Sequence, residues 1–428
     1  MKYNCVLGSL VLLIGFSVAS VHAIELSDHP KVQEVADRLV ADGHYTSSEL
    51  EELFRHATVQ KNVLDAMTNP AEYKFTWGKY RKLFLKSDRI QRGVEFWKAN
   101  KETLTRAEKD YGVPASVIVA IIGVESKFGK FKGKYKVLDS LVTLVTGFPR
   151  RSKFFASELE HFLILCKENG LDAKQILGSY AGAVGYPQFI SSSYRNYAID
   201  FNDDGSTDLI NQVDDAIGSI ANYFIENGWK PGEPVTSVPV TAVTNEVASL
   251  VSRKRKVQYT AADLRSKGAI IDTDIPEAEK MGVLMLDASE VVHDKKSSDT
   301  YIVRAGDTAC EIAERNNVSC RKLITLNKLG KQGKIFRGQR LKLPVKAQLA
   351  SQRVRKGSKD RSSSQNTKWE VVRSPVADKV SETEDRTQPR YFYTHHNFYA
   401  ITQYNHSVLY AMAVYDLSSA INDEYQKL

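Results

Sequence analysis

Val117 to Val124 reads VIVAIIGV, apolar on every side, and the first acid after it is Glu125. Pro114 suits the first turn of a helix, where its missing N–H costs nothing, and Gly129 is placed to stop one. The pattern predicts a helix inside a core rather than along a surface. Its β-branched residues equally suit a buried strand, and local pattern does not arbitrate. A carboxyl at the end of an apolar rod is poorly solvated, which favours its protonated form and suits it to donate a proton. Lys127 and Lys130 act in the opposite sense if they come close. The plain alternative is a surface glutamate near a helix end.

A chain of 428 residues is long enough for two or three domains with substantial cores. Its formal charge of +8 implies a mildly basic surface suited to an acidic polymer: nucleic acid, anionic lipid or cell wall. No basic helix interleaved with aromatics favours nucleic acid. Lys2, the apolar run Val6 to Ala19 and the small-residue site Val21-His22-Ala23 read as a secretory signal over 1–23. The run is short for a membrane span and no second one follows, so stable membrane insertion is not expected. Cys5 lacks the small-residue box of a lipoprotein, and the expectation is a soluble, periplasmic protein cleaved after about Ala23. Of the remaining cysteines, Cys310 and Cys320 are near enough in sequence to pair in an oxidising compartment, whereas Cys166 lies on an amphipathic helix and is expected to be buried and inert.

From His29 the pattern is helical, with Val32, Val35, Ala36, Leu39 and Val40 on one face. Ser48 and Glu51 can form a capping box for the next helix, which turns Leu50, Leu53, Phe54 and Ala57 inward. The aromatic and basic passage Tyr73 to Phe84 is either helix packing or a platform for sugar rings. A further helix is expected over 94–111. Gly147-Phe148-Pro149-Arg150-Arg151 is a turn carrying adjacent guanidinium groups, and Phe154 to Asn169 is an amphipathic helix ending at Gly170. GSYAGAVGYPQFISSSY, Gly178 to Tyr194, cannot hold a long regular helix and suits backbone lying close to a ligand. Asp200, Asn202, Asp204 and Ser206 place oxygens at alternate positions with Gly205 at the bend, as an EF-hand loop begins. Asn211 replaces the usual closing Glu, and Asp214 can close a longer loop; the alternative is a turn of local Asp and Asn hydrogen bonds. After a helix from Asp215 to Gly228 the chain turns polar and β-like, with a strand at Val283 to Leu286. Residues 293–300 form a linker. Tyr301 to Pro344 is a compact unit of strand, two short helices and strand, with Thr308 and Glu311 as a capping box. Residues 345–389 are polar and expected to be largely disordered. Residues 390–428 turn aromatic and apolar again and need a partner surface, which the first domain supplies if the 301–344 unit is an insertion.

Gly123-Val124-Glu125, Phe148-Pro149-Arg150-Arg151, Gly178 to Tyr186, Gln188-Phe189 and Tyr404-Asn405-His406-Ser407 together resemble the catalytic domain of the membrane-bound lytic murein transglycosylase B family. YIVRAGDT, Asn327 and GQRLKLP resemble a LysM domain, a βααβ module that binds N-acetylglucosamine-containing polymers. The resemblance implies a mainly α (α+β) fold: a goose-lysozyme-like catalytic domain in two segments, 24–292 and 390–428, with a small LysM domain at 301–344 inserted. It implies cleavage of the MurNAc–GlcNAc β-1,4 bond of peptidoglycan without water, leaving 1,6-anhydro-MurNAc ends, with Glu125 as the single acid/base. Ser179, Gln188, Tyr404, Asn405 and Tyr410 match positions around the reacting sugar, and Arg150 and Arg151 a pair that meets stem-peptide or lactyl carboxylates. Asp200, Asn202, Asp204, Ser206 and Asp214 match the family's lengthened EF-hand, with calcium in a structural role and no organic cofactor. Pro187, Ile190-Ser191, the missing lipobox and the inserted module depart from the family pattern. The rival readings are a hydrolytic muramidase of the same bond and a non-catalytic wall-binding protein. His395, His396 and His406 lack a third ligand at a convincing spacing for zinc and are expected to serve packing and hydrogen bonding.

Overall fold

The computed structural model describes residues 26–68, 75–239, 243–252, 255–287, 300–303, 308–315, 320–329, 335, 339–343 and 389–428. The expected signal (1–23), nearly all of the two linkers, and residues 304–307, 316–319, 330–334, 336–338 and 344 of the compact unit lie outside the described residues. Among those described, no helix is long and apolar enough to cross a membrane.

The chain opens with α1 (Pro30–Ala41), α2 (Ser47–Arg55), α3 (Lys61–Thr68), α4 (Trp77–Phe84), α5 (Ser87–Ala99) and α6 (Lys101–Tyr111). The apolar run becomes α7 (Ala115–Ser126), and the helical alternative wins over the strand. Val117, Ile118, Val119, Ile121 and Ile122 are all buried, and each such side chain contributes roughly 1.5–3 kcal/mol on leaving water. There follow β1 (Tyr135–Lys136), α8 (Val137–Gly147), α9 (Ser152–Glu168), β2 (Leu177–Gly178), α10 (Ser191–Tyr197) and α11 (Val213–Glu226). Two expectations need correction. The α2 capping box uses Thr46 and Glu49, not Ser48 and Glu51; both pairs satisfy the pattern, and the start of the helix at Ser47 selects the first. The helix expected over 94–111 breaks at Asn100 into α5 and α6.

Two apolar cores result. One surrounds α7 with residues of α4, α5, α6 and α11 and of the C-terminal helices α16 (His396–Tyr404) and α17 (Val408–Tyr425). The other joins α1, α2, α8 and α9 with Val184, Phe189 and Leu209 from the loops that follow. Tyr404 packs against both, so it stands on the seam between them. Trp77 and Tyr80 of the aromatic passage are buried in the first core, which assigns them to packing. Cys166 is buried in the second, and burial pushes its thiol up to about 12.

Beyond α11 the chain forms β3 (Thr236–Ser237), α12 (Asn245–Ser249), β4 (Tyr259–Thr260), α13 (Ala261–Ser266) and β5 (Lys280–Asp287). In the compact unit, β6 (Thr300–Ile302) and β7 (Arg340–Lys342) pair antiparallel, with α14 (Ala309–Arg315) and α15 (Cys320–Leu326) between them in sequence. Val303, Ile312, Ala313, Leu323 and Leu341 make its core. A Cys310–Cys320 disulfide ties the two helices. Asn327 pins α15 to β7: its Oδ1 accepts the Lys342 N–H and its Nδ2 donates to the Lys342 carbonyl, both at 2.6 Å. The last strand, β8 (Pro389–Thr394), lies between β3 and β5 in the antiparallel order β3-β8-β5-β4, with Val283 opposite Tyr393 and Asp287 opposite Pro389. The chain therefore leaves and re-enters this sheet at neighbouring positions. It then runs through α16 to α17, which packs along α7 and α5.

Candidate active site

Glu125 occupies the last turn of α7 and is half-buried. The helix stops sooner than Gly129 alone predicts, because Lys127 (φ 53°), Phe128 (φ 60°) and Gly129 (φ 78°) are all left-handed. Such geometry is costly at non-glycine residues. It is held by Phe128 N–H donating to the Ile122 carbonyl (3.2 Å) and Gly129 N–H to Ser126 Oγ (3.0 Å). It is also held by the Phe128 ring, which folds back onto Gly123. A Cβ there would lie 2.6 Å from Phe128 Cζ. The glycine two residues before Glu125 thus has a packing reason.

The second chain segment brings the partners. Tyr410, buried on α17, donates its hydroxyl to Glu125 Oε1 at 2.6 Å, in the short range of charge-assisted bonds. Tyr404, at the end of α16, stacks nearly parallel to Tyr410 (6.4 Å, 11°) and is ringed by Phe189, Tyr223 and Phe224. Burial first, then the charge of Glu125, pushes both phenols far above the usual tyrosine range, so they remain neutral donors. The Tyr404 hydroxyl donates to the Pro187 carbonyl at 2.6 Å. Gln188 is left-handed (φ 51°), and its Nε2 donates to the carbonyls of Lys132 (3.0 Å) and Gly185 (2.9 Å). Gly185 must be glycine: its φ is +75°, and a Cβ would fall 2.2 Å from the Leu209 carbonyl oxygen. Glu125, Tyr410, Tyr404, Pro187 and Gln188 thus form one connected cluster.

Ser179, Arg150 and Arg151 lie outside the bonds that join it. Ser179 Oγ accepts the backbone N–H groups of Ala181 (3.2 Å) and Ala183 (3.1 Å), which leaves its own proton to donate. Arg150 and Arg151 are exposed on the turn after α8, the Arg151 guanidinium 4.0 Å from the Phe154 ring centroid. Asn405 caps α16, and its carbonyl accepts the Ser407 N–H. Ile190 and Ser191 begin α10, whose Ser192 N–H and Oγ both donate to buried Glu158.

In the 200–214 loop the oxygens of Asp200, Asn202 and Asp204 converge. Asp204 N–H donates to Asp200 Oδ1 and Asn202 Oδ1 (both 3.2 Å), and Ser206 N–H donates to Asp204 Oδ1 (2.9 Å). An oxygen-only donor set of this kind suits a hard cation. Asp214, expected to close the loop, instead accepts a hydrogen bond from Thr103 on α6. Among the described residues no group of three or more His, Cys, Asp or Glu is arranged to hold a metal. Buried Asp215, passed over in the sequence as a helix start, accepts the N–H groups of Phe201 and Asp208 (2.8 Å each) and ties both arms of the loop. The histidines are engaged locally: His395 Nε2 with Ser237 Oγ, His406 Nδ1 with the Thr402 carbonyl, and the His396 ring with Tyr399.

Residues 27–304 and 327–419 match the family model described as transglycosylase SLT domain. The chain belongs to this family. Residues 301–344 match the LysM domain. Membrane-bound lytic murein transglycosylase B of Escherichia coli is 36% identical over 272 residues, covering 61% of this chain and 74% of that protein. Soluble lytic transglycosylase SltB1 of Pseudomonas aeruginosa superposes with a TM-score of 0.65 at 31% identity, covering 92% of this chain and 99% of that one. The Escherichia coli lytic transglycosylase Slt35 in complex with calcium gives 0.65 at 27% identity, over 96% and 100%. The expected lysozyme-like, mainly helical fold is therefore that of this SLT family member. Tyr223 escaped the sequence reading of the site: it sits at helical spacing among apolar residues of α11, and nothing local marks it as facing Tyr404.

Proposed function

We propose that Glu125 is the single acid/base with which this lytic transglycosylase cleaves the MurNAc–GlcNAc β-1,4 bond of peptidoglycan. The observation that carries the reading is the Tyr410 hydroxyl on Glu125 Oε1 at 2.6 Å, beside Tyr404 at the seam of the two cores. Glu125 first gives its proton to the glycosidic oxygen as the C1–O bond breaks. The carboxylate then takes the proton of the same MurNAc's C6 hydroxyl as O6 bonds to C1, closing a 1,6-anhydro ring and regenerating the acid. One carboxyl serves both steps because the nucleophile is tethered to the substrate, whereas a conventional glycosidase needs a second carboxylate at a set distance.

In this reading Tyr410 orients Glu125 and steadies its charged form between the two steps. Tyr404 fixes the Pro187-Gln188 turn, and Ser179, Gln188 and Asn405 bond the N-acetyl and carboxyl groups of the sugars. Arg150 and Arg151 meet stem carboxylates along the strand. Asp200, Asn202, Asp204 and Ser206 are the ligands for a structural calcium ion, with Asp214 completing the set on exchanging Thr103. The ion would neutralise their charge and stiffen the loop between α10 and α11. The LysM domain raises the local concentration of wall polymer without joining the chemistry. The expected cellular site is the periplasm, with residues 1–23 as a cleaved signal and residues 24–292 and 390–428 as the two catalytic segments.

Glu125→Gln tests the assignment. Turnover of purified sacculi is abolished while sacculus binding in a pull-down is retained; unchanged turnover would dismiss Glu125 as the catalyst.

A further inference from the structure

Between the start of α5 and the chain that follows α7 lies a cavity of about 320 Å³. Its wall carries five cationic side chains: Lys86, Arg89 and Arg92 on one side, Lys127 and Lys130 on the other. Asp88 is the one acid in the lining, and Arg92 already engages it at 2.7 Å. Arg89 is nine-tenths buried, and among the described residues its Nε and Nη1 have no hydrogen-bond partner. Burial foremost, with the charge of Arg92, pulls its guanidinium below the usual arginine range. The Phe84 ring lies 5.2 Å from the Arg89 Cζ, but a ring face accepts no bond from Nε or Nη1, and a buried guanidinium short of acceptors is costly unless an anion completes it. The α5 N-terminus, whose first turn carries Asp88 and Arg89, adds its own positive end to the cavity. The two lysines on the opposite wall are fixed by the left-handed turn that ends α7, two and five residues beyond Glu125.

We infer that this cavity is an anion subsite that takes a carboxylate of a peptide stem carried by the glycan strand under cleavage. The inference rests on Glu125 being the catalyst, because Lys127 and Lys130 of the cavity wall follow it on the turn that ends α7. It is distinct from Arg150 and Arg151, which lie beyond α8. Planar guanidinium and flexible ammonium donors around one small volume bind a carboxylate well, and stem carboxylates are the anions that peptidoglycan itself brings to this position.

The test is a Lys86→Ala/Lys130→Ala double variant, both positions exposed and outside the acid/base cluster. Wild type and variant are compared on strands bearing stems and on strands stripped of stems by an amidase. The expected result is a loss of about tenfold in kcat/KM on stem-bearing strands, with stripped strands cleaved equally by both proteins. Equal losses on both substrates, or no loss on either, would overturn the subsite. Failure of the wild type on stripped strands as well would instead strike at the transglycosylase reading. In that event the subsite is judged by titrating stem-bearing and stem-free GlcNAc–MurNAc fragments into each protein, where equal affinities would overturn it. Inorganic phosphate supplies the last arm: a wild-type melting temperature raised by phosphate, without selectivity for stems, would assign the cavity to free anions and contradict the proposal.

Discussion

Tyr410→Phe removes one oxygen from the centre of the site and leaves the ring in place. The lost bond is 2.6 Å long and runs from a phenol held neutral to Glu125. A hydrogen bond to a charged group contributes about 1.5–3 kcal/mol, and that energy favours the carboxylate over the acid. Without it the protonated form gains by the same amount, which corresponds to about one to two pH units. Glu125 must begin the reaction protonated, so the rate falls as pH rises and the acid ionises. The variant should keep its proton to higher pH, and the alkaline limb of its kcat profile on soluble GlcNAc–MurNAc oligomers should move upward by about one to two pH units. Its maximal rate should fall as well, because the intermediate carboxylate loses its donor. Circular dichroism before and after the substitution checks that the ring still packs. An alkaline limb that stays where it is in a folded variant would refute the assignment of Tyr410 as the group that sets the Glu125 carboxyl.

Three further outcomes follow from the geometry. Gly123→Ala should destabilise the protein by about 1–3 kcal/mol in urea denaturation, because its Cβ would meet Phe128 Cζ at 2.6 Å, and it should slow turnover by disturbing the turn after Glu125. His395 is pushed down to about 4, chiefly by burial, against about 6.5 in an unfolded chain. The unfolded state therefore takes up the proton first, and this part of the stability is full above pH 6.5 and lost as pH falls towards 4, by up to about 3 kcal/mol. His395→Gln should flatten that portion of the melting temperature against pH. Calcium should raise the wild-type melting temperature and Asp204→Ala should remove the effect; a wild type indifferent to calcium would count against the ion.

Much of this was legible in the sequence where the signal is local. The apolar run gives α7 and sets Glu125 at its end, the glycine-rich 178–194 stretch gives an irregular backbone, and Tyr301 to Pro344 reads as two strands around two helices. Where two local solutions compete, the pattern is silent: Thr46/Glu49 and Ser48/Glu51 are equally good capping boxes, and nothing near Asn100 announces a break. Tertiary contacts decide the rest. Lys127 and Phe128 turn left-handed because the Phe128 ring needs the space at Gly123. Tyr410 reaches Glu125 across 285 residues, whereas the family resemblance places it only around the reacting sugar. Arg89 reads as one more charge on a helix, yet it is buried beneath the cavity wall.

A reaction in which water takes no part is what separates this enzyme from a hydrolase of the same bond. Mass spectrometry of the fragments released from purified sacculi tests this directly, because a 1,6-anhydro end lacks one water relative to a reducing end. The wild type should release fragments with anhydro-MurNAc termini, and Glu125→Gln should release none. Fragments ending only in reducing MurNAc would make the enzyme a hydrolase and contradict the single-acid mechanism.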